Sequence, residues 1–279
     1  MELIDIGCNL THDSFDGDRN AVLERARAAG VVQMVVTGAS EAGSIAAHEL
    51  ARSHPGELFA TAGVHPHKAA EFSADTESVL RELAATDEVH AIGETGLDYF
   101  RDFSPRRAQR DAFERQLEIA ADTGLPLFLH QRDAHDDFIA VLRSARDALS
   151  RVVVHCFTGS REELAAYLDL DCHIGITGWI CDERRGTHMK DYMGDIPDGR
   201  LMIETDSPYL KPRNLRPRVK THRNEPQWLP WIAGTLAACR GETPEALAAS
   251  TTHAARAFFE LPATTKAEAG SGMVEHSSP

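Results

Sequence analysis

Four side chains of types that bind metals or move protons stand at the ends of short apolar runs. Glu94 closes Val-His-Ala-Ile-Gly-Glu, His130 closes Pro-Leu-Phe-Leu-His, His155 closes Val-Val-Val-His, and Asp206 follows Leu-Met-Ile-Glu-Thr. Imidazoles and carboxylates are ligands of divalent transition metals, and carboxylates also bind Mg²⁺ or Mn²⁺. One histidine at a strand end is more often a hydrogen-bonded structural residue. A metal site is therefore predicted only if the chain brings all four side chains together.

The chemistry of hydrolysis suggests a role for each of these residues. Glu94, His130 and His155 are predicted to hold a divalent metal and to leave positions open for water and substrate. Asp206 is predicted either to take a proton from the bound water or to serve as a further ligand, so Asp206 and Glu94 form the expected catalytic pair. Glu204 lies two residues before Asp206, on the same strand face, where a supporting role is predicted.

Strand-like and helix-like stretches alternate along the chain and must position these side chains. Eight such units in about 260 residues predict a closed (β/α)8 TIM barrel, an α/β fold of one domain. The alternative is an open doubly wound sheet, whose functional groups gather at one switch point. In this chain, polar residues end five different strands. Only a closed barrel brings five strand ends together around one axis, so the barrel is favoured over the open sheet. We therefore expect a barrel over residues 1–262 and a disordered tail over residues 263–279.

Local signals refine three of these elements. The stretch Val89–Asp98 is predicted to begin as a strand and to stop abruptly around Glu94. Ser104 and Pro105 are typical of an N-cap and the first residue of a long helix. A further helix of uncertain limits is predicted near Thr187–Met193.

The composition limits the possible functions. The chain has 29 Lys and Arg against 43 Asp and Glu, a net charge of −14, which argues against a protein whose main task is to coat nucleic acid. An enzyme that holds a polyanion through a metal ion and a local basic patch is still compatible. Five scattered cysteines without a Cys-x-x-Cys pair predict reduced thiols. Without a signal peptide or an apolar run of the ~20 residues that span a bilayer, we expect a cytoplasmic monomer.

One segment is strongly basic, although the chain as a whole is acidic. Lys211–Arg223 carries six Lys or Arg and no acidic residue, and it follows the strand that leads to Asp206. A phosphate clamp that includes Arg213 is the functional prediction, and a solvated basic loop is the alternative. Arg132 is a weaker candidate for substrate binding. His65 is expected to donate to a bound phosphate, or else to be a loop residue without such a role. The acidic net charge then predicts weak, salt-sensitive binding of nucleic acid.

Three aromatic residues also follow strand ends: Tyr99, Phe100 and Trp179. Aromatic rings stack on the faces of unpaired bases with little regard to base sequence. These residues are candidates for base contacts, and packing within the loops is the open alternative.

Eight stretches together carry a family resemblance. They run in order through nearly the whole predicted barrel: DIGCNLT (5–11), TAGVHPH (61–67), AIGETGLDY (91–99), HQRDA (130–134), VVHCFTG (153–159), IGITGWICDERRG (174–186), IETDSPYL (203–210) and HRNEP (222–226). The chain resembles the TatD-type metal-dependent deoxyribonucleases, within the amidohydrolase-like barrels. The resemblance implies a cytoplasmic, Mg²⁺-dependent 3′–5′ exonuclease, with Mn²⁺ as a second possible ion. Its implied substrates are single-stranded DNA and RNA, in DNA repair or degradation.

The sequence departs from the broader family at the end of the first strand. Many members carry a His-x-His pair there, whereas this chain has Gly7 and Asn9, neither of them a good ligand for a transition metal. One of two metal positions is expected to be weakened or held differently, so the number of ions, one or two, stays open. The TatD-like branch shares the Gly/Asn pattern, so the resemblance still implies nuclease activity.

The predicted ligands activate water for more than one kind of bond. The first alternative to phosphodiester hydrolysis is hydrolysis of another ester on the same barrel, for example deacylation of a D-aminoacyl-tRNA. The second is a non-catalytic, metal-bound module that binds nucleic acid. Ligand types alone do not separate these functions.

Overall fold

The computed structural model describes residues 1–263 and shows an eight-stranded parallel sheet rolled into a barrel, with helices outside it. The strands pair in chain order and are β1 (Leu3–Cys8), β2 (Val31–Val36), β3 (Leu58–Ala62), β4 (Val89–Asp98), β5 (Leu127–Arg132), β6 (Val152–Val154), β7 (His173–Ile176) and β8 (Leu201–Ile203). The predicted single-domain (β/α)8 barrel is confirmed. The predicted disordered tail lies outside the described residues, apart from Ala263.

Within residues 1–263, eight α-helices surround the strands or close the barrel. They are α1 (Arg19–Ala28), α2 (Glu41–Arg52), α3 (Ala74–Ala84), α4 (Arg106–Thr123), α5 (His135–Ala145), α6 (Arg161–Asp169), α7 (Leu229–Arg240) and α8 (Pro244–Phe259). Among these helices, none is both long and apolar enough to cross a membrane. All five cysteines are free.

Alternate residues of the strands face two different apolar cores, because successive side chains of a strand point to opposite faces. Ile4, Val35 and Phe128 belong to the core inside the barrel, together with Phe258 and Phe259 of α8. The residues between them in the strands pack outward under the helices. The barrel interior is therefore filled, and α8 packs against that interior core.

The carboxyl ends of β8 and β1 are joined by hydrogen bonds beyond the regular ladders. The backbone N–H of Asp206 donates to the carbonyl of Gly7 at 2.8 Å, and the N–H of Asn9 donates to the carbonyl of Ser207 at 2.7 Å. These bonds place the predicted catalytic Asp206 next to Gly7 and Asn9 at the end of β1.

Strand β4 does not stop around Glu94 as predicted. It runs to Asp98, and residues 95–98 pair in register with residues 129–132 of β5. Gly93 and Gly96 allow this pairing, since both have positive φ values (138° and 143°) and a Cβ at either would overlap a carbonyl oxygen of β5. The glycines on either side of Glu94 therefore allow β4 to pair closely with β5. A strand prediction based on runs of apolar residues does not detect this pairing.

The predicted start of the long helix α4 is wrong by one position. The helix begins at Arg106, and Pro105 occupies the N-cap position without a side-chain cap. The Ser104 hydroxyl instead donates to the carbonyl of His67 at 2.9 Å and accepts from the N–H of Ala70 at 3.1 Å. Ser104 thus anchors the loop after β3. Its hydroxyl is engaged by this loop and does not cap α4.

The segment between β7 and β8 contains short 3₁₀ turns where a helix was predicted. They span Gly178–Cys181, Thr187–Asp191 and Met193–Asp195. A 3₁₀ helix over Thr187–Asp191, and not an α-helix, therefore occupies the stretch where a helix of uncertain limits was predicted. Glycines at positions 186 and 194 leave fewer than eight residues for a regular helix, which is too short without strong packing.

Candidate metal centre

Glu94 lies at the centre of a cluster of imidazoles at the carboxyl-terminal mouth of the barrel. Its Oε1 is 2.8 Å from Nε2 of His155, 3.1 Å from Nδ1 of His130 and 3.4 Å from Nε2 of His65. Glu94 is only 7% exposed. The structure thus brings together Glu94, His130 and His155, as the sequence predicts, and adds His65 from the loop after β3.

Three of these side chains form a group compact enough to hold one ion. His65, Glu94 and His130 each offer a ligand atom, and these atoms all lie within 4.8 Å of one another. Within residues 1–263, Nε2 of His130 is buried and has only a long contact, 3.5 Å to Oδ2 of Asp98. Imidazole nitrogens around a carboxylate are a donor set that divalent cations accept, so the residues present fit a metal. His155 contacts the same Glu94 oxygen from the side of β6.

Burial and neighbouring charges shift these groups in opposite directions. Burial raises the pKa of Glu94, but the nearby His65 and His155 outweigh it and hold that pKa well below its usual value. Burial lowers the pKa of His155, yet Glu94 and Glu204 raise it well above the usual value. Burial brings the pKa of His65 down to about 3. Without a bound ion these shifts keep Glu94 ionised, His65 neutral and His155 protonated. An imidazole must be neutral to bind a metal, so a cation that binds here would displace the proton of His155.

A second set of carboxylates lies at the ends of β8 and β1. Oδ1 of Asp206 accepts a hydrogen bond from Nδ2 of Asn9 at 3.0 Å. Burial, with Glu94 and Glu204 nearby, raises the pKa of Asp206 to about 7. Burial likewise raises the pKa of Asp5 to about 7. A carboxyl group that titrates near neutrality can take up and release a proton at physiological pH, as the sequence-based role of Asp206 requires.

Glu204 supports His155 from a space that two glycines leave open. One Glu204 oxygen accepts from the backbone N–H of Cys156 at 2.6 Å, and the other is 3.3 Å from Nδ1 of His155. A Cβ at Gly7 would overlap Oε2 of Glu204, and one at Gly175 would come within 2.8 Å of Oε1. The glycine that replaces a family histidine thus makes room for this carboxylate. Sequence reasoning gave Glu204 a supporting role but missed its dependence on Gly7.

Sequence reasoning missed a second ion pair beside the cluster. Nε2 of His67 is 2.7 Å from Oδ2 of Asp98, and the same oxygen is 3.5 Å from Nε2 of His130. The other Asp98 oxygen accepts the N–H groups of Phe100 and Arg101. Asp98 therefore fixes the loop after β4 next to His130. The sequence held one indication of this role, since Asp98 lies four residues after Glu94 at the end of the Gly-Leu-Asp run.

The basic segment Lys211–Arg223 is a loop beside the mouth, and its cations are used in different ways. Arg223 donates to both oxygens of Asp18 at 2.8 Å and to Glu225 at 2.8 Å, so it anchors the loop to the neighbourhood of α1. Arg213 is 3.6 Å from Asp182 and remains partly exposed. A cavity of about 540 Å³ beside it is lined mainly by residues 211–219. The segment thus combines an anchor with cations open to a ligand.

Arg132 is the last residue of β5 and lies between two aromatic rings. Its guanidinium carbon is 4.8 Å from the ring centroid of Phe100 and 5.3 Å from that of Trp179. Arg185 approaches the same Trp179 ring at 5.5 Å. The guanidinium carbon of Arg106 is 4.2 Å from the ring centroid of Tyr99. All three aromatic candidates therefore pack against arginines, which orients cationic groups at the mouth.

A (β/α)8 barrel with imidazoles and carboxylates at the carboxyl ends of its strands has the architecture of a metal-dependent hydrolase. The family model described as TatD related DNase matches residues 4–260. The 3′-5′ ssDNA/RNA exonuclease TatD of Erwinia billingiae is 50% identical over 261 residues, which cover 94% of this chain and 100% of that protein. The protein of the same name from Salmonella typhimurium is 47% identical, with 93% and 99% covered. This chain belongs to the TatD related DNase family.

Solved structures show the same barrel. A TatD homologue from Escherichia coli superposes with a TM-score of 0.85 at 27% identity and covers 93% of this chain and 98% of its own. A TatD family hydrolase from Entamoeba histolytica gives a TM-score of 0.81 at 26% identity, with the same coverage. The likeness extends over the whole barrel, so the mouth described above occupies the usual place of a barrel active site.

Proposed function

We propose that this protein is a metal-dependent 3′–5′ exonuclease that hydrolyses phosphodiester bonds of single-stranded DNA and RNA. The observation that carries the proposal is the convergence of His65, His130 and His155 on one oxygen of Glu94. Relatives that are 47% to 50% identical over nearly their whole length bear the corresponding name. Mg²⁺ is the proposed ion, with Mn²⁺ as the alternative, and the site takes one or two ions.

Glu94, His130 and His155 are the proposed ligands. Their strands β4, β5 and β6 are neighbours, so the barrel itself sets their separation. His65 belongs to the same compact group of donors, so it either completes the ligand set or donates to a phosphate oxygen beside the ion. Glu204 holds His155 from behind by its contact with Nδ1, which fixes the orientation of the ring.

A bound divalent cation would polarise the phosphoryl oxygen and lower the pKa of a neighbouring water molecule. Asp206 is the proposed general base, because its pKa of about 7 suits it to accept the proton of that water. The amide of Asn9 holds Oδ1 of Asp206, which leaves Oδ2 to receive the proton. Asn9 therefore has an orienting role at a position where it replaces a family ligand.

Arg132 and Arg213 are the proposed contacts to the phosphates of the substrate strand. Arg132 is oriented by its two aromatic neighbours, and Arg213 projects from the basic segment next to β8. Because the whole chain carries a charge of −14, these local cations must act against general repulsion. The expected binding is weak and sensitive to salt.

We further propose that the enzyme acts as a cytoplasmic monomer with its barrel domain over residues 1–262. Five free cysteines fit a reducing compartment.

The test is a digestion of single-stranded DNA labelled at either end, with Mg²⁺ or Mn²⁺, by the wild type and by Glu94→Gln. The proposal predicts a ladder that shortens from the 3′ end in the wild type and no ladder in the variant. Glu118→Gln is the matched control, since Glu118 is exposed on α4. Deacylation of a D-aminoacyl-tRNA without any ladder would support the ester alternative, and binding without hydrolysis would support the non-catalytic one.

A further inference from the structure

Two aromatic rings at the barrel mouth are more than half exposed and lie outside the metal centre. Phe103 is 71% exposed and Tyr209 is 52% exposed. Phe103 lies in the loop after β4 and Tyr209 in the loop after β8. Scattered apolar residues are ordinary on a protein surface. Phe103 and Tyr209 are not scattered in this sense, because both lie at the mouth of one site and each is next to groups that the proposed reaction uses.

A series of ring contacts leads from Glu94 outward to Phe103. The imidazole of His65 is 3.4 Å from Glu94, and its ring centroid is 4.1 Å from that of His67. The centroid of His67 is 4.9 Å from that of Phe103. Phe103 is therefore the third ring from the proposed metal ligand and the one that reaches solvent.

Tyr209 adjoins the proposed general base. Its backbone N–H donates to the carbonyl of Asp206 at 2.9 Å, and its ring packs edge-on against His12 at 5.7 Å. Strands β4 and β8 are four positions apart in an eight-stranded barrel, which places them on opposite sides of the axis. Phe103 and Tyr209 thus lie on opposite sides of the mouth, with the Glu94 cluster between them.

We propose that Phe103 and Tyr209 form two base-stacking subsites, one for each nucleobase flanking the bond that is cut. The inference rests on the proposed nuclease function, since the scissile phosphate must lie at the metal centre between the two rings. Phe100 is also exposed, at 60%, but its ring packs on the guanidinium of Arg132, so we assign it to orienting that arginine rather than to a base.

The occupant of these subsites is an unpaired stretch of nucleic acid. A base in a duplex is stacked on its neighbours and paired, so it cannot offer a free face to a protein ring. An unpaired strand offers such faces, and base–aromatic stacking tolerates any sequence. Arg132 and Arg213 provide the positive charge that the connecting phosphates require. The two rings would therefore make the enzyme select single strands by requiring adjacent bases to separate.

The test compares metal-loaded wild type, Phe103→Ala and Tyr209→Ala on single-stranded oligonucleotides. One substrate is complete, and two others lack the base of the last or of the next-to-last nucleotide at the 3′ end. On the complete substrate, each variant should lose about five- to a hundredfold in kcat/KM, the size expected for one stacked base. On the substrate without the matching base, that variant and the wild type should be equally slow. Phe103→Tyr and Tyr209→Phe should retain the wild-type rate on every substrate.

Ile45→Ala is the matched control, because Ile45 is an exposed apolar residue on α2. It should leave all rates unchanged. Undiminished rates in both alanine variants would overturn the inference, as would losses of equal size on complete and base-lacking substrates, which would indicate a structural role. If the wild type cleaves no oligonucleotide with Mg²⁺ or Mn²⁺, the proposed function itself fails, which is a separate outcome.

Discussion

The floor and the rim of the barrel mouth are held by different kinds of interaction. The floor consists of the buried groups at the strand ends: Glu94, His130, His155 and Glu204. The rim consists of the exposed Phe103 and Tyr209 and the basic segment Lys211–Arg223. Floor groups contact one another at 2.8 to 3.3 Å, whereas the rim residues Phe103 and Tyr209 are 71% and 52% exposed. The difference shows that the strands hold the metal-binding groups in place, whereas the loops allow the substrate contacts to adapt.

The largest effect is expected in the floor, at Glu94. Replacing Glu94 by Gln removes the charge on which three imidazoles converge, and with it the main carboxylate for the cation. A metal contributes several kcal/mol to such reactions, so kcat should fall on the order of a thousandfold. Circular dichroism and the melting temperature should show a folded barrel. Wild-type activity in Glu94→Gln would contradict the assignment of Glu94 to the metal centre.

Gly7→Ala tests how tightly the floor is packed. The added methyl group must displace Glu204, so we expect a loss of stability of about 1–3 kcal/mol and a clear loss of activity. Gly17→Ala is the control, because a Cβ there meets no atom within 4 Å. Combining Gly7→Ala with Glu204→Asp, which shortens the carboxylate, should recover part of the stability. Equal melting curves for Gly7→Ala and wild type would show that this packing is loose.

Arg213→Ala tests the rim and should act on binding more than on chemistry. We expect KM for single-stranded DNA to rise about three- to tenfold with little change in kcat, and the dependence of binding on salt to become shallower. Arg107→Ala on α4 is the control, since that side chain is 94% exposed. An equal effect of both substitutions would indicate only a change in net charge.

Arg223→Ala tests the anchor of the basic segment and should have the smallest effect. Hydrogen bonds from Arg223 lower the pKa of Asp18 to about 2. A carboxylate with a lowered pKa adds stability above its ordinary value of 3.8, and that stability is lost as the pH falls toward 2. The pair is partly exposed, so the loss in Arg223→Ala should be at most roughly 1 kcal/mol at pH 7. The difference from wild type in thermal melts should shrink as the pH falls toward 2, and the part that remains reports the contact of Arg223 with the Phe15 ring.

The sequence allowed the floor to be predicted better than the rim. Strand ends in a parallel barrel share one mouth, so Glu94, His130 and His155 could be brought together from chain order alone. The roles of Gly7 and of the Asp98–His67 pair were missed, since they depend on side chains from distant strands meeting in three dimensions.

Local signals failed where tertiary contacts compete with them. Ser104 has the residue type of an N-cap, yet its hydroxyl serves the loop after β3. Within the basic segment, the sequence named Arg213 as part of the phosphate clamp but did not separate Arg223 from the other cations. The structure shows that Arg223 is committed to Asp18 and Glu225, whereas Arg213 makes a longer contact, 3.6 Å to Asp182, and is 46% exposed.

The most direct test of the account is the metal content of the purified protein after equilibration with Mg²⁺ or Mn²⁺, compared between wild type and Glu94→Gln. Elemental analysis and calorimetric titration both measure it without reference to any substrate. The account predicts at least one divalent ion per wild-type chain and a loss of that ion in the variant, whose fold is unchanged. Equal metal binding by the two proteins would contradict the central claim that the Glu94 cluster is the metal centre.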